Sequence, residues 1–301
     1  MSTLFVRAQV LQRFEFEHGQ MGTQFKLIFY CNQEDTANRL SIKVFSKLDN
    51  LNQKLSDYLP ESDLNQFCLQ AGSKEWQVLD QDLWKVLNQA KIVFRRSNGA
   101  FDISIRPLSS LWRRAIRRQS FPDPEKLKMA QAKVNAKWIS LRKKDYSGRL
   151  KKPGMQLDLG GIAKGYALDK MAEVLKESGV NRFLIDGGGD LLLGDPPPGK
   201  SGWIVETPGQ KKQTLTNRGV ASSGDQFQYL EDHNKRYSHI INPRTGLGLT
   251  HQKTCTVYAP NGVSADAWAS AFSILKGKEL IRIQKRLQKD DILLTFYESN
   301  N

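Results

Sequence analysis

The apolar residues of this chain change their spacing repeatedly, and that alternation limits the possible folds more than any other feature. Residues 23–31 (TQFKLIFYC) alternate loosely and predict a strand. From Asp35 onward Leu40, Val44, Leu48, Leu51 and Leu55 recur at threes and fours, the spacing of a helix with one buried face. Residues 80–96 predict a second amphipathic helix, stopped by Asn98-Gly99, and Pro124-Glu125 suit the start of a short basic helix after the loop at Pro122. Residues 162–177 predict a helix closed by Gly179. Strands are predicted at 182–185 and 190–193 around a glycine turn, then at 203–206, 213–222, 236–241 and 253–259, with a rigid proline loop over 194–199. A helix at 265–275, a basic helix from Lys278 and a last strand at 292–297 complete the pattern. Helices and strands mix without a regular βαβ repeat, so the expected class is α+β.

The 301 residues suffice for one large or two closely joined domains, and 39% apolar with 25% charged residues describes a soluble globular protein. No apolar run approaches the roughly 18 residues of a membrane helix. The first 20 residues carry Arg7, Arg13, Glu15 and Glu17 and lack the apolar core of a signal peptide. They are read as an N-terminal extension ahead of a domain over 21–301, and the cytoplasm is the expected location. Cys31, Cys68 and Cys255 have neither disulfide nor zinc spacing and are expected to be buried free thiols. The net charge of +14 concentrates in residues 113–152, where only Asp123, Glu125 and Asp145 oppose a long series of Lys and Arg. Such a stretch suits nucleic acid, an anionic membrane surface or an acidic partner, although a solvated basic surface is the commoner outcome. No nucleic-acid motif accompanies it, and no nucleic-acid partner is expected.

Two segments carry the clearest chemistry. In Leu157-Asp-Leu-Gly-Gly-Ile-Ala-Lys-Gly-Tyr-Ala167, Gly160 and Gly161 sit where a helix begins, and the free N–H groups there suit phosphate, with Lys164 one turn inside. Tight packing is the more common reason for such a glycine pair, and the residues alone leave both readings open. In Ser264-Ala-Asp-Ala-Trp-Ala-Ser270, Asp266 and Ser270 are four apart and share a helix face, a sparse oxygen set of the kind Mg²⁺ accepts. An Asp in a first helical turn also offsets the helix dipole without any metal. Between these segments lie Val220-Ala-Ser-Ser-Gly-Asp225 and a stretch in which His239, flanked by Ser238 and Arg244, is placed in a short apolar strand. Such a histidine is usually structural, yet it can serve proton transfer. Asp186-Gly-Gly-Gly-Asp190 is read as a turn joining two strands rather than as a ligand site.

Taken in order, Met21-Gly-Thr23, Leu55-Ser-Asp-Tyr58 with Pro60-Glu-Ser-Asp-Leu-Asn65, Gly99-Ala-Phe-Asp102, Pro107-Leu108 with Leu111-Trp112, and the 158–167 segment resemble the ApbE family of FAD:protein FMN transferases. The resemblance continues through Asp186-Gly-Gly-Gly-Asp190, Ser223-Gly-Asp225, Tyr237-Ser-His-Ile-Ile241 with Pro243-Arg-Thr-Gly246, and Ala265-Asp-Ala267. It implies an ApbE-like, T-fold-like architecture of mixed and antiparallel sheets with packed helices. It also implies an FAD site lined by Met21, Ser56, Tyr58, Ala100, Phe101, Asp102, Asp158, Lys164 and Ile240. The Gly161 carbonyl, Asp266 and Ser270 become the implied ligands of Mg²⁺, and His239 the implied catalytic residue. The implied reaction cleaves FAD, attaches FMN through its phosphate to a Thr or Ser of an acceptor flavoprotein, and releases AMP. A hydrolase giving FMN and AMP, or a non-catalytic FAD binder, would use the same residues. Ser270 stands where the family usually has Thr, Asn242 where it has Asp, and Arg106 where many members have Gly. The family's lipoprotein leader is absent from the sequence, and a periplasmic or inner-membrane location, with peripheral contact to an anionic membrane surface, is the alternative the resemblance implies.

Overall fold

A computed structural model describes residues 10–224 and 229–298, so Arg7 and Asp225 lie outside the described residues. Seven strands form one antiparallel sheet: β1 (Gln12–Gln20), β2 (Thr23–Cys31), β3 (Phe183–Gly187), β4 (Leu191–Leu193), β5 (Arg218–Ser223), β6 (Lys253–Ala259) and β7 (Leu293–Glu298). They neighbour one another in sequence order with every pair antiparallel, so the sheet is a meander, and the helices occupy its connections. The helices are α1 (Glu34–Leu55), α2 (Asp63–Leu69), α3 (Gln81–Arg96), α4 (Arg106–Arg118), α5 (Pro124–Gln131), α6 (Ala163–Glu177), α7 (Gly262–Ile274) and α8 (Gly277–Leu287). The α+β expectation holds.

Alternation in β2 shows how the layers form. Phe25, Leu27, Phe29 and Cys31 point into the main core, beneath α1, α6 and α7. Ile28 and Tyr30 point to the opposite face, where a hairpin of Trp203–Val205 with Gln213–Leu215 covers them. Helix α7 is buried on nearly all sides, as a helix that is apolar around its circumference must be. A satellite core gathers Leu108, Trp112 and Ala115 of α4, Ala130 of α5, and Leu230 and Ile241 near the hairpin of Tyr229–Asp232 with Lys235–Ser238.

Several local expectations change. Residues 12–20 pair with β2 along their full length although the sequence places them in an extension. Their signal is the alternation of Phe14, Phe16 and His18 with Arg13, Glu15 and Glu17, the pattern of an edge strand with one wet face. The single strand predicted over 213–222 divides in two, because Asn217 adopts φ +48° and turns the chain from one sheet into another. The basic stretch runs from the end of α4 through α5 to the paired strands Ile139–Arg142 and Ser147–Leu150, and most of its Lys and Arg are exposed, as a solvated basic surface requires. Cys31, Cys68 and Cys255 are free and buried, as expected. Burial pushes the Cys68 thiol up to about 11 and Cys255 higher still, which keeps both as inert thiols near neutral pH. Among the described residues no helix is long and apolar enough to cross a membrane.

Candidate active site

The site is built on the contact between α6 and α7. A Cβ on Gly165 would overlap the Gly262 carbonyl and lie 2.8 Å from the Asp266 Cβ, so only glycine allows the two helices this approach. The helices then cap each other. No side chain of its own caps α6 at Ile162, and the Gly165 N–H donates to Asp266 Oδ2 of α7 at 3.0 Å. In return Asp169 of α6 accepts from the N–H groups of Gly262 (2.7 Å) and Val263 (2.9 Å) at the start of α7. Each carboxylate satisfies donors that a helix terminus leaves open.

Burial raises Asp169 to about 6, against the smaller pull of those two N–H groups. A folded-state value above the unfolded one of about 3.9 means that its stabilising contribution is complete below that unfolded value and is lost as pH rises through about 6. Asp169→Asn keeps one acceptor of two and should cost about 1 kcal/mol at pH 5. Across pH 4–6.5 it should also flatten the pH dependence of stability relative to the parent. Urea melts at several pH values measure both effects, and an unchanged slope would remove Asp169 from the account.

Two cavities open beside this helix pair. One, of about 370 Å³, is lined by Ala100, Phe101, Asp102, Asp158, Gly161, Lys164, His239, Ile240, Asp266 and Ser270 among others. The second, of about 520 Å³, is lined by Met21, Ser56, Tyr58 and Lys164. Arg113, Gly160 and Lys164 border both, which makes them two lobes of one cleft. Every site residue named from the sequence therefore borders this cleft. Met21 reaches it from the two-residue turn between β1 and β2, where it holds φ +51° and Gly22 holds φ +76°. That conformation favours Asn or Gly, so the turn spends local strain to put a Met side chain there.

At the junction Lys164 Nζ lies 2.6 Å from Asp190 Oδ2. Burial works against the Lys164 charge, but Asp190 and Asp266 more than offset it and hold the ammonium above its usual range. Burial raises Asp190, with Lys164 opposing. Burial and then the nearby Asp190 charge push Asp266 up to about 7, again against Lys164. The Ser270 hydroxyl lies 2.7 Å from where a Gly161 Cβ would stand, so Gly161, Ser270 and Asp266 converge on one corner.

Other residues depart from their expected places. His239 lies just past the strand Lys235–Ser238, on an exposed bend facing the cleft. Ser238 is buried and its hydroxyl accepts from the Ile240 N–H at 2.9 Å, while Arg244 forms a two-pronged ion pair with Glu279 of α8 at 2.8 and 2.9 Å. Both flanks of His239 thus serve structure. Asn242 Oδ1 accepts from the Arg244 N–H at 2.9 Å, a turn-forming bond that Asp would make equally well. Trp112 donates to the Gly246 carbonyl (2.8 Å) and Gln131 to the Pro243 carbonyl (2.6 Å), so the satellite core carries the His239 loop. Asp102 spends both oxygens on the protein, accepting from Ser104 N–H and hydroxyl on one and from the Ala136 N–H on the other. Asp186-Gly-Gly-Gly-Asp190 is the expected turn, with Gly189 N–H donating to Asp186, yet its last residue is the buried partner of Lys164.

Asp190, Asp57, Ser109 and Arg113 are the site residues that the sequence reading omits. For two of them the available signal was helical spacing: Ser109 and Arg113 lie four apart on α4 and face the cleft, opposite the buried Trp112 and Ala115. Arg106, the departure from Gly, lies 3.1 Å from Asp57.

A sequence model of the ApbE family matches residues 21–294. The chain belongs to the ApbE family. It is 29% identical over 280 residues to the FAD:protein FMN transferase of Klebsiella pneumoniae (strain 342), covering 88% of this chain and 80% of that protein. The FAD:protein FMN transferase of Escherichia coli (strain K12) is 28% identical over 280 residues, covering 87% and 79%. Among solved structures, Pseudomonas stutzeri flavinyl transferase ApbE in its apo form matches with a TM-score of 0.83 at 25% identity, over 97% of this chain and 92% of that one. Flavin transferase ApbE from Vibrio cholerae matches with a TM-score of 0.82 at 21% identity, over 97% and 95%, a likeness of fold. The family match begins one residue after β1 ends, while β1 itself is part of the ApbE-family sheet of this chain.

Proposed function

We propose that this chain cleaves FAD at its pyrophosphate and transfers FMN, through its phosphate, to a Thr or Ser hydroxyl of an acceptor flavoprotein, releasing AMP. The junction of the two lobes carries this reading. FAD is two bulky halves joined by a diphosphate, and the cleft is two lobes joined at Gly160, Lys164 and Arg113. Both volumes fall in the range of small-molecule sites, about 300–1,000 Å³. The names of the relatives from Klebsiella pneumoniae and Escherichia coli support the same assignment.

Lys164 and the backbone at the start of α6 hold the diphosphate, with Asp190 fixing the lysine. In the transfer, the acceptor oxygen forms a bond to the FMN phosphorus as the bond from that phosphorus to the bridging oxygen breaks, and AMP carries the bridging oxygen away. His239 accepts the hydroxyl proton from its exposed position at the cleft. Among the described residues no three His, Cys, Asp or Glu side chains cluster to hold a metal. The donor set Gly161, Asp266 and Ser270 needs only one carboxylate, and a carboxyl raised by burial is one that a cation would return to its charged form. Mg²⁺ held there would neutralise the pyrophosphate and the departing oxyanion.

The test is incubation with FAD, Mg²⁺ and an acceptor domain labelled by a relative, followed by flavin fluorescence of the denatured acceptor. Covalent label that EDTA abolishes is the expected result. Free FMN and AMP with unlabelled acceptor would replace transfer by hydrolysis, with water entering the open cleft in place of the hydroxyl. His239→Asn should lower kcat at least about tenfold, toward the 10²–10⁴ that positioned proton transfer contributes, and leave FAD affinity within about threefold. An unaltered kcat would make His239 an orienting side chain.

A further inference from the structure

Arg113 occupies a position that the reaction as described leaves unexplained. Among the described residues it is one of three that border both lobes. Its Nη1 donates to Asp57 Oδ2 at 2.7 Å and its Nη2 to Asp158 Oδ2 at 2.7 Å, so one guanidinium ties the α1–α2 connection to the loop before α6. Both carboxylates are largely buried, with side chains 7% and 10% exposed. Asp158 is itself immobilised, since Ser109 Oγ donates to Oδ2 at 2.7 Å and the Gly160 N–H to Oδ1 at 2.9 Å. The exposed Tyr58 ring lies 4.8 Å from the guanidinium carbon and closes its outer side. The two bonds to carboxylates use two of the five N–H donors of a guanidinium, so the group retains donors for a third, anionic partner.

We propose that Arg113 is the residue that aligns an intact dinucleotide across the two lobes, and so selects dinucleotides over mononucleotides. This rests on the reading of the cleft as an FAD site. A diphosphate passing from one lobe to the other must pass Arg113 and Lys164 together. A mononucleotide seated in a single lobe needs only one side of that junction. The planar fork can bridge two carboxylates and still present N–H groups to a phosphate. An ammonium matches this arrangement poorly, because its three donors radiate from one point while the two carboxylates are bonded from separate nitrogens. Asp57, with Arg106 3.1 Å away, keeps the assembly near neutrality, so the selectivity comes from fixed donors rather than from surplus charge.

Direct binding of FAD, FMN and AMP to the whole protein, in Mg²⁺, tests the idea with Arg113→Ala and Arg113→Lys. Removing Arg113 leaves two buried carboxylates without a partner, so the lysine variant, which keeps a cation, guards against simple misfolding, and melting temperatures are read alongside. FAD affinity should fall about tenfold or more in both variants, the scale of lost hydrogen bonds to a charged group, while FMN and AMP weaken less than about threefold. A folded Arg113→Lys protein that binds FAD as tightly as the parent would overturn the proposal. So would equal weakening of all three ligands, which would mark a general charge effect. A parent protein that fails to bind FAD would overturn the FAD-site reading itself, and this proposal with it; a parent that binds FAD while the variants do not discriminate overturns the proposal alone.

Discussion

Asp266→Asn should lower FMN transfer roughly 10²–10³-fold while the protein remains folded. On the metal role proposed for Asp266, the size follows from removing one charged ligand, which withdraws several kcal/mol of charge stabilisation at about 1.4 kcal/mol per decade. Folding survives because asparagine still offers Oδ1 to the Gly165 N–H, which Asp266 now accepts at 3.0 Å. The pH behaviour separates a ligand from a cap. Burial, with Asp190 beside it, raises Asp266 to about 7. Its stabilising contribution is therefore complete below the unfolded value of about 3.9 and is lost as pH rises through about 7. Without metal, the asparagine variant should gain stability relative to the parent between pH 5 and 8. With Mg²⁺ at pH 8 the order should reverse, because the cation stabilises the ionised carboxylate of the parent and has no such group in the variant. Thermal melts with and without Mg²⁺, run beside the transfer assay, decide it. Undiminished transfer, or an equal Mg²⁺ shift in both proteins, would end the metal assignment.

Gly165→Ala is the second large effect, and here two opposed magnitudes must be compared. Alanine in place of glycine inside a helix gains about 1 kcal/mol of propensity. Against this, the new Cβ would overlap the Gly262 carbonyl and stand 2.8 Å from the Asp266 Cβ, with backbone rather than a flexible side chain in its way. Overpacking at such a contact costs about 1–3 kcal/mol, and separating α6 from α7 also weakens the caps exchanged through Asp266 and Asp169, each about 1 kcal/mol. The net loss is about 2–3 kcal/mol, or roughly 3–5 °C in melting temperature for a chain of this size. Because Asp266 moves with the contact, FMN transfer should fall with it. A variant as stable as the parent would show that the helices have slack the present packing does not suggest.

The sequence carries the helices well where their burial is one-sided. Leu40, Val44, Leu48, Leu51 and Leu55 predict α1 because each faces the same core. It carries β6 and α7 for a different reason, their concentrated apolar content. The spacing is weaker where an element is nearly all polar, as in β1, or where charge hides a buried stripe, as in α4. In α4 only Leu108, Ser109, Trp112 and Ala115 are buried among arginines, and Pro107 in the first turn was the missed start signal. For the site, the glycine pair and the Asp266–Ser270 spacing are legible because helix geometry alone puts those groups together. The ties of Arg113 to Asp57 and Asp158 are not, since 45 residues or more separate Arg113 from each carboxylate, and no local rule relates them.

What the sequence alone determined is the class of the fold, the family resemblance from Met21 onward and, through that resemblance, thirteen of the residues around the cleft. These are properties of local spacing and of short ordered motifs. Tertiary structure alone decided which groups are spent and which are free. Asp102 is consumed by Ser104 and Ala136, Arg244 by Glu279, and Asp158 by Ser109, Arg113 and Gly160, while Asp266 keeps its place in a cleft where burial raises its proton affinity. The physical reason is that hydrogen-bond partners and desolvation depend on what approaches through space. In this protein that approach is set by two glycines, at 165 and 262, which let two helices meet closely enough to cap one another.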